Sequence, residues 1–171
     1  MNKNKGNRIA KGVEIKPSAN IDNISIGRNS FIDAGVTTTG RGKKTITIGK
    51  ETYIGIGTVL DRSGGLEIGN FVHIAGPGTG VWTHSSIEQA LSALPLESNN
   101  ERIVEAVVIE DCVWIGGGCT IYPGVKIHHH SAVLPGSVVN RDVKSWTVVG
   151  GAPAKIVRKI KIKNKKVIFL K

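Results

Sequence analysis

The chain repeats itself every six residues. Aliphatic side chains stand at Ile26 and Ile32, at Ile48, Ile54 and Leu60, at Ile68 and Ile74, and from Ile109 through Ile115, Ile121, Ile127 and Val133 to Val139. Four residues after most of these comes a small or β-branched residue, such as Ser30, Thr52, Thr58, Val113, Cys119 or Ser137. A helix would repeat at about 3.6 residues and an ordinary strand at about 2, so neither accounts for the pattern. A solenoid does: each hexad forms one flat face with one large and one small side chain inward, then turns a corner. Gly, Asn and Asp gather where corners fall, at Arg28-Asn29, Gly57, Gly69-Asn70 and Gly117-Gly118, which suits turns needing positive φ.

The 171 residues suffice for one buried core, and a single domain is expected over 1–171. It divides into a lead-in at 1–20, a β-helix at 21–150 with an excursion at 83–106, and a C-terminal helix with a basic tail at 151–171. The helix rests on the spacing of Ile156, Val157 and Ile160, and would cap the last coil. Smaller excursions fall at 37–43 and 62–65. The net charge of +10 is uneven: residues 155–171 carry eight Lys or Arg and no acid, leaving +2 for the rest. Such a tail attracts polyanions, and cofactor phosphate, acidic polysaccharide and an anionic membrane face remain open. Nucleic acid is not expected, because no aromatic interleaving accompanies the charge. No apolar stretch follows the N-terminal lysines, so no secretory signal is expected and a cytoplasmic location is. Cys112 and Cys119 fall inside the repeat and demand no disulfide.

After Gly80 the six-residue pattern stops until Ile109, and His84 stands at the break in Trp82-Thr83-His84-Ser85. Interruptions of a solenoid project from one face and commonly carry binding loops. Ile87, Ala90, Leu91 and Leu94 have helical spacing ended by Pro95, so the excursion is expected to be structured. The other histidines have weaker claims. His73 lies at an outward position, and His128, His129 and His130 follow a corner around which consecutive side chains diverge, so no metal site is expected there.

Residues 108–127 (VIEDCVWIGGGCTIYPGVKI), 132–139 (AVLPGSVV) and 148–158 (VVGGAPAKIVR) resemble the hexapeptide-repeat acyltransferases, in particular the galactoside, maltose and polysaccharide O-acetyltransferase group. The similarity covers roughly residues 20–160. It implies a left-handed parallel β-helix that forms a homotrimer, with active sites between neighbouring subunits and acetyl-CoA as donor, no metal being required. In that group a histidine opening the loop after a repeat block acts as general base, which places His84 in the catalytic role. A sugar hydroxyl is a poor nucleophile until its proton is accepted, and a neutral imidazole takes it.

The same residue-by-residue resemblance assigns Gly117, Pro135, Asn140 and Arg141 to the donor's pantetheine groove, Lys155 and Arg158 to its phosphates, and Trp114 to the cleft between subunits where the donor's thioester arm meets the acceptor. Asp61 and Trp82 are expected on the acceptor side. Asp61 either orients the imidazole or binds a hydroxyl, and Arg62 competes with it for that place. The acceptor-binding asparagine of the simple-sugar enzymes is replaced by Ile54-Gly55-Ile56-Gly57-Thr58, which leans toward a surface-polysaccharide precursor. The expectation is therefore acetyl transfer from acetyl-CoA to a sugar hydroxyl. N-acetylation of an amino sugar, a zinc hydratase of the carbonic-anhydrase kind using His73 and His84, and a non-catalytic trimeric scaffold are the alternatives.

Overall fold

A computed structural model describes residues 6–97 and 102–170; residues 98–101 of the excursion, and the terminal positions 1–5 and 171, lie outside it. The described hexads wind into stacked coils whose edges pair as three parallel sheets. The first sheet stacks Arg8–Ile9, Ile24–Ile26, Ile46–Ile48, Leu66–Ile68, Val107–Ile109 and Lys126–Ile127. The second stacks Glu14–Ile15, Phe31–Ile32, Tyr53–Ile54, His73–Ile74, Trp114–Ile115, Ala132–Val133 and Thr147–Gly150, then continues antiparallel into the C-terminus. The third stacks Thr37–Thr39, Val59–Asp61, Gly80–Val81, Thr120–Ile121 and Val138–Val139. This parallel β-solenoid is consistent with the left-handed β-helix that the resemblance to the hexapeptide-repeat family implies.

The inward pattern holds. Ile26, Ile32, Ile48, Ile54, Leu60, Ile74, Ile109, Ile115, Ile121, Ile127, Val133 and Val139 are buried. Between them lie the small residues Ser30, Thr52, Thr58, Val72, Val113, Cys119 and Ser137, also buried. Full burial of each large aliphatic contributes about 2 kcal/mol, and parallel register repeats that contribution coil after coil. The buried hydroxyls are satisfied by neighbouring coils, as where Thr52 Oγ1 donates to Gly69 O (2.8 Å). Cys119 faces inward and Cys112 sits at a corner, both as free thiols raised by burial.

Positive φ occurs three residues after the inward aliphatic, so the corners differ from expectation at Gly69-Asn70, where Phe71 takes the left-handed conformation (φ 55). Glycines directly after the aliphatic serve a different need. A Cβ on Gly49 would lie 2.6 Å from the carbonyl carbon of Gly69 in the next coil, so the spacing between coils excludes any side chain there.

Two boundaries are corrected, and the excursion helix turns a different face inward from the apolar one. The coils begin at Arg8, since Arg8 pairs with Ser25 and Glu14 with Phe31; residues 8–20 are a first coil rather than a lead-in. The C-terminal helix is absent. Lys155–Lys163 and Lys166–Leu170 form an antiparallel ribbon. Its signal was the alternation Lys159-Ile160-Lys161-Ile162-Lys163, a period of two, followed by Asn164-Lys165, both at positive φ (50° and 60°) as a two-residue hairpin turn requires. In the excursion the helix exists, at Ile87–Leu91, with the opposite face inward: Gln89 is buried while Ile87 and Leu91 are exposed. Among the described residues no helix is long and apolar enough to cross a membrane.

Candidate active site

The excursion is clamped at its base by an antiparallel pair, His84 with Val104 and Ser85 with Ile103. That pairing fixes the backbone of His84 at the edge of the third sheet, directly after Gly80–Val81. One coil away, Val59–Asp61 ends on a carboxylate that is completely buried. The imidazole Nδ1 lies 2.6 Å from Asp61 Oδ2.

A buried carboxylate is tolerated only when its lone pairs are filled. Asp61 Oδ2 also accepts the Thr83 backbone N–H (2.8 Å) and the Thr83 hydroxyl (2.9 Å). Oδ1 accepts the Ser63 N–H (3.1 Å) and the Ser63 hydroxyl (2.8 Å). Thr83 Oγ1 in turn accepts the Gly64 N–H at 2.8 Å. Burial pushes the Asp61 carboxyl upward, but hydrogen bonds from His84, Ser63 and Thr83 outweigh it and leave the group below the ordinary carboxylate range. An ionised Asp61 has no proton to give, so His84 Nδ1 is the donor of this pair, and in the neutral ring the lone pair is then on Nε2.

His84 borders a cleft of about 240 Å³ with Trp82, Ser85, Thr120, Tyr122 and Pro123. Trp82 lies back over Gly80, whose hydrogen faces the indole: a Cβ there would meet Trp82 Nε1 at 2.5 Å. The four residues that follow the inward aliphatics of the third sheet, Asp61, Trp82, Tyr122 and Asn140, form one column, because Leu60, Val81, Ile121 and Val139 are in register. Reading that column from the hexad register would have found Tyr122. Ser63 and Thr83 carry no signal in the repeat, and only the turn after Asp61 brings them to its carboxylate.

The structure separates the other expected residues. Arg62, the rival of Asp61, turns away to Asp22 (3.4 Å) and the Gly42 carbonyl. Gly117 and Pro135 lie at the corner between the second and third sheets, in successive coils. Arg141 and Lys155 border a shared groove of about 320 Å³ beyond Asn140. Arg158 pairs with Val148 on the ribbon. Trp114 projects from the second sheet, on a different face from His84, into an apolar cleft. His73 is beside Trp114 and Tyr53 in that sheet, apart from His84. His129 and His130 converge where divergence was expected, with Nδ1 atoms 3.2 Å apart, and His130 stacks on Trp146 at 4.3 Å. His128 instead faces Glu110 (3.3 Å), whose carboxyl is held down to about 2 by Lys126 and the His129 N–H. Among the described residues no three metal-ligating side chains come together.

The sequence profile of the bacterial transferase hexapeptide family (six repeats) matches residues 106–141. The galactoside O-acetyltransferase of Escherichia coli is 29% identical over 147 residues, 86% of this chain and 59% of that protein. A 2,3,4,5-tetrahydropyridine-2,6-dicarboxylate N-acetyltransferase of Clostridium perfringens is 48% identical over 58 residues, 34% of this chain and 25% of the relative. The chain thus spans less than two thirds of the length of these curated relatives. Among solved structures, the N-acyltransferase AntD of Bacillus cereus, in complex with dTDP and 3-hydroxybutyryl-CoA, superimposes with a TM-score of 0.70 at 26% identity, covering 91% of this chain and 81% of that one. The sheets, the repeat and these relatives agree: residues 106–141 carry the bacterial transferase hexapeptide repeat, and the similarities to sugar acyltransferases support that family for the chain.

Proposed function

We propose that the protein transfers an acetyl group from acetyl-CoA to a hydroxyl of a sugar or surface-polysaccharide precursor, with His84 as general base. The observation that carries this reading is the pairing of His84 Nδ1 with a buried, fully hydrogen-bonded Asp61, which leaves Nε2 as proton acceptor beside an open cleft. Acetyl-CoA supplies a thioester carbonyl already activated toward attack. His84 Nε2 takes the proton of the acceptor hydroxyl as its oxygen adds to that carbonyl carbon. As the tetrahedral adduct collapses and the C–S bond breaks, the same nitrogen returns the proton to the departing sulfur. Asp61 never titrates in this cycle; it holds the ring and balances the imidazolium while it exists. Neither cysteine suits a covalent route, since Cys119 is buried in the core and Cys112 is raised by burial and by Asp111.

The residues present fit the donor. Arg141 and Lys155 bring two cations to one groove, suited to phosphate, and the Gly117–Pro135 corner offers backbone for the pantetheine arm. Trp114 and His84 lie on different faces of one protomer, so a site using both takes them from neighbouring subunits, as a homotrimer provides. We place the enzyme in the cytoplasm, where the donor is made.

Transfer to an amine is the second reading, favoured by the similarity to AntD, an N-acyltransferase. Thiol release from acetyl-CoA with panels of sugars, nucleotide-linked sugars and their amino counterparts tests both. An ester product is cleaved by mild alkali and an amide survives it. Release with no acceptor in either panel would overturn the proposal.

A further inference from the structure

Thr83 and His84 close over the Asp61 carboxylate from the coil that follows, and a loop at residues 39–43 closes over it from the coil before. In the third sheet Val59–Asp61 lies between Thr37–Thr39 and Gly80–Val81, with Thr39 in register with Asp61. Gly40 then turns at φ 98, a conformation that glycine adopts freely and L side chains rarely do. A Cβ on Gly40 would run into Asp61 Oδ1 and would stand 2.5 Å from Ser63 Oγ. The loop can therefore lie against the buried carboxylate only with no side chain at residue 40. It is fastened along its length. The Thr39 carbonyl accepts the Arg62 N–H (3.0 Å). The Arg41 N–H donates to Ser63 Oγ (3.3 Å), whose own proton goes to Asp61 Oδ1 (2.8 Å). The Gly42 carbonyl accepts from the Arg62 guanidinium, and Lys44 Nζ donates to the Gly64 carbonyl (2.9 Å). Arg62 holds this place although its Nε is buried with no partner among the described residues, which is unfavourable in itself.

We propose that Gly40 is a positioning residue for the base: lying flat on the Asp61 carboxylate, it keeps water from Oδ1 and holds Oδ2 aimed at His84 Nδ1. The inference rests on the reading of His84 as general base. Which imidazole nitrogen carries the proton is set by the hydrogen bond that the other makes. A carboxylate that swings away, or that water reaches at Oδ1, grips the Nδ1 proton less firmly, and Nε2 then loses its lone pair for part of the time. A displacement of about 1 Å is enough to cost up to roughly 10²-fold in rate. Arg62 supports the same arrangement at one remove, as the clasp of the loop.

The test compares two glycines of this one loop. Gly42 has φ 100, and a Cβ on it meets nothing within 4 Å, so Gly42→Ala brings the backbone strain of Gly40→Ala without the collision. Two readouts are taken on the full chain. One is the tautomer of His84 at alkaline pH, from long-range proton–nitrogen NMR of histidine-labelled protein, with His84→Ala to identify the signal. The other is kcat and KM with acetyl-CoA. Wild type and Gly42→Ala should carry the proton on Nδ1, while Gly40→Ala gives a mixture of tautomers and loses roughly tenfold or more in kcat, with the KM for acetyl-CoA unchanged. Arg62→Met frees the loop and adds no atom to it, and should move both readouts the same way by less. If Gly40→Ala fails to fold, this variant decides, and an unshifted tautomer in it overturns the proposal. A folded Gly40→Ala protein that keeps the Nδ1 proton and its kcat overturns it too. So does an equal loss in both alanine variants, which would make the effect one of strain alone. A wild type inactive with every acceptor would remove the acetyl-transfer reading, and the tautomers would still decide this one.

Discussion

Two of the places where the six-residue repeat is broken are resolved in opposite ways. At Thr83 the chain leaves the solenoid and returns, and Ser63, Thr83 and His84 converge on one buried carboxylate. After Gly150 the chain leaves the coils as a ribbon whose lysines find no acid in their own segment and whose apolar side is half in water. The first arrangement is rigid and directional, as a general base requires. The second is stable only because hairpin geometry and the edge of the second sheet hold it, and its surface is unsatisfied until something covers it. On the proposed reading, the closed polar network is where the molecule does its chemistry.

The largest expected effects come from breaking the closed network. His84→Ala should lower turnover by roughly 10²–10⁴-fold with the fold intact, as steady-state kinetics and thermal melting would show together. Asp61→Ala removes the acceptor of five hydrogen bonds and should cost about 3 kcal/mol of stability in denaturant titration. Asp61→Asn keeps the shape but offers an N–H to His84 Nδ1, placing the imidazole proton on Nε2, and should lower turnover roughly 10²-fold with a smaller loss of stability.

The pH dependence sharpens the same point. Because the Asp61 carboxyl sits below its unfolded value of about 3.9, its contribution is fully present above that pH. It is lost as the pH falls through the lower folded value, where the carboxylate is protonated. Wild type should therefore lose more stability than Asp61→Asn below pH of about 4; parallel acid-unfolding curves would contradict this account. Smaller effects belong to the second break and the groove beside it. Arg141→Ala/Lys155→Ala should raise the KM for acetyl-CoA roughly several-fold, with the acceptor KM unchanged. Smallest of all, Lys161→Ala with Lys166→Ala should leave melting within about 2 °C of wild type.

The solenoid was legible because its signal is redundant: one slip of register would turn every Ile of a block outward. The break at His84 was legible for the same reason, as a place where that redundancy ends. What the pattern could not show was which of Asp61 and Arg62 faces the histidine. Both follow Leu60, and the choice depends on donors supplied by Ser63 and Thr83 from two different coils. The ribbon was misread for a different reason. Ile156, Val157 and Ile160 have helical spacing, but the period of two that follows them, closed by Asn164-Lys165, outweighs three residues. In the excursion helix, spacing identified the element and not the buried face, because Gln89 satisfies the loop with hydrogen bonds to the Pro95 carbonyl and from Arg102.

The measurement that bears most directly on the central claim is acceptor-dependent thiol release from acetyl-CoA by wild type and His84→Ala, side by side on one panel of sugars, amino sugars and glycan fragments. The account predicts release by wild type with at least one acceptor and its loss, by roughly 10²-fold or more, in the variant. Equal release by both proteins would remove His84 from the role of base, and no release together with no binding of CoA would leave a scaffold in place of an enzyme.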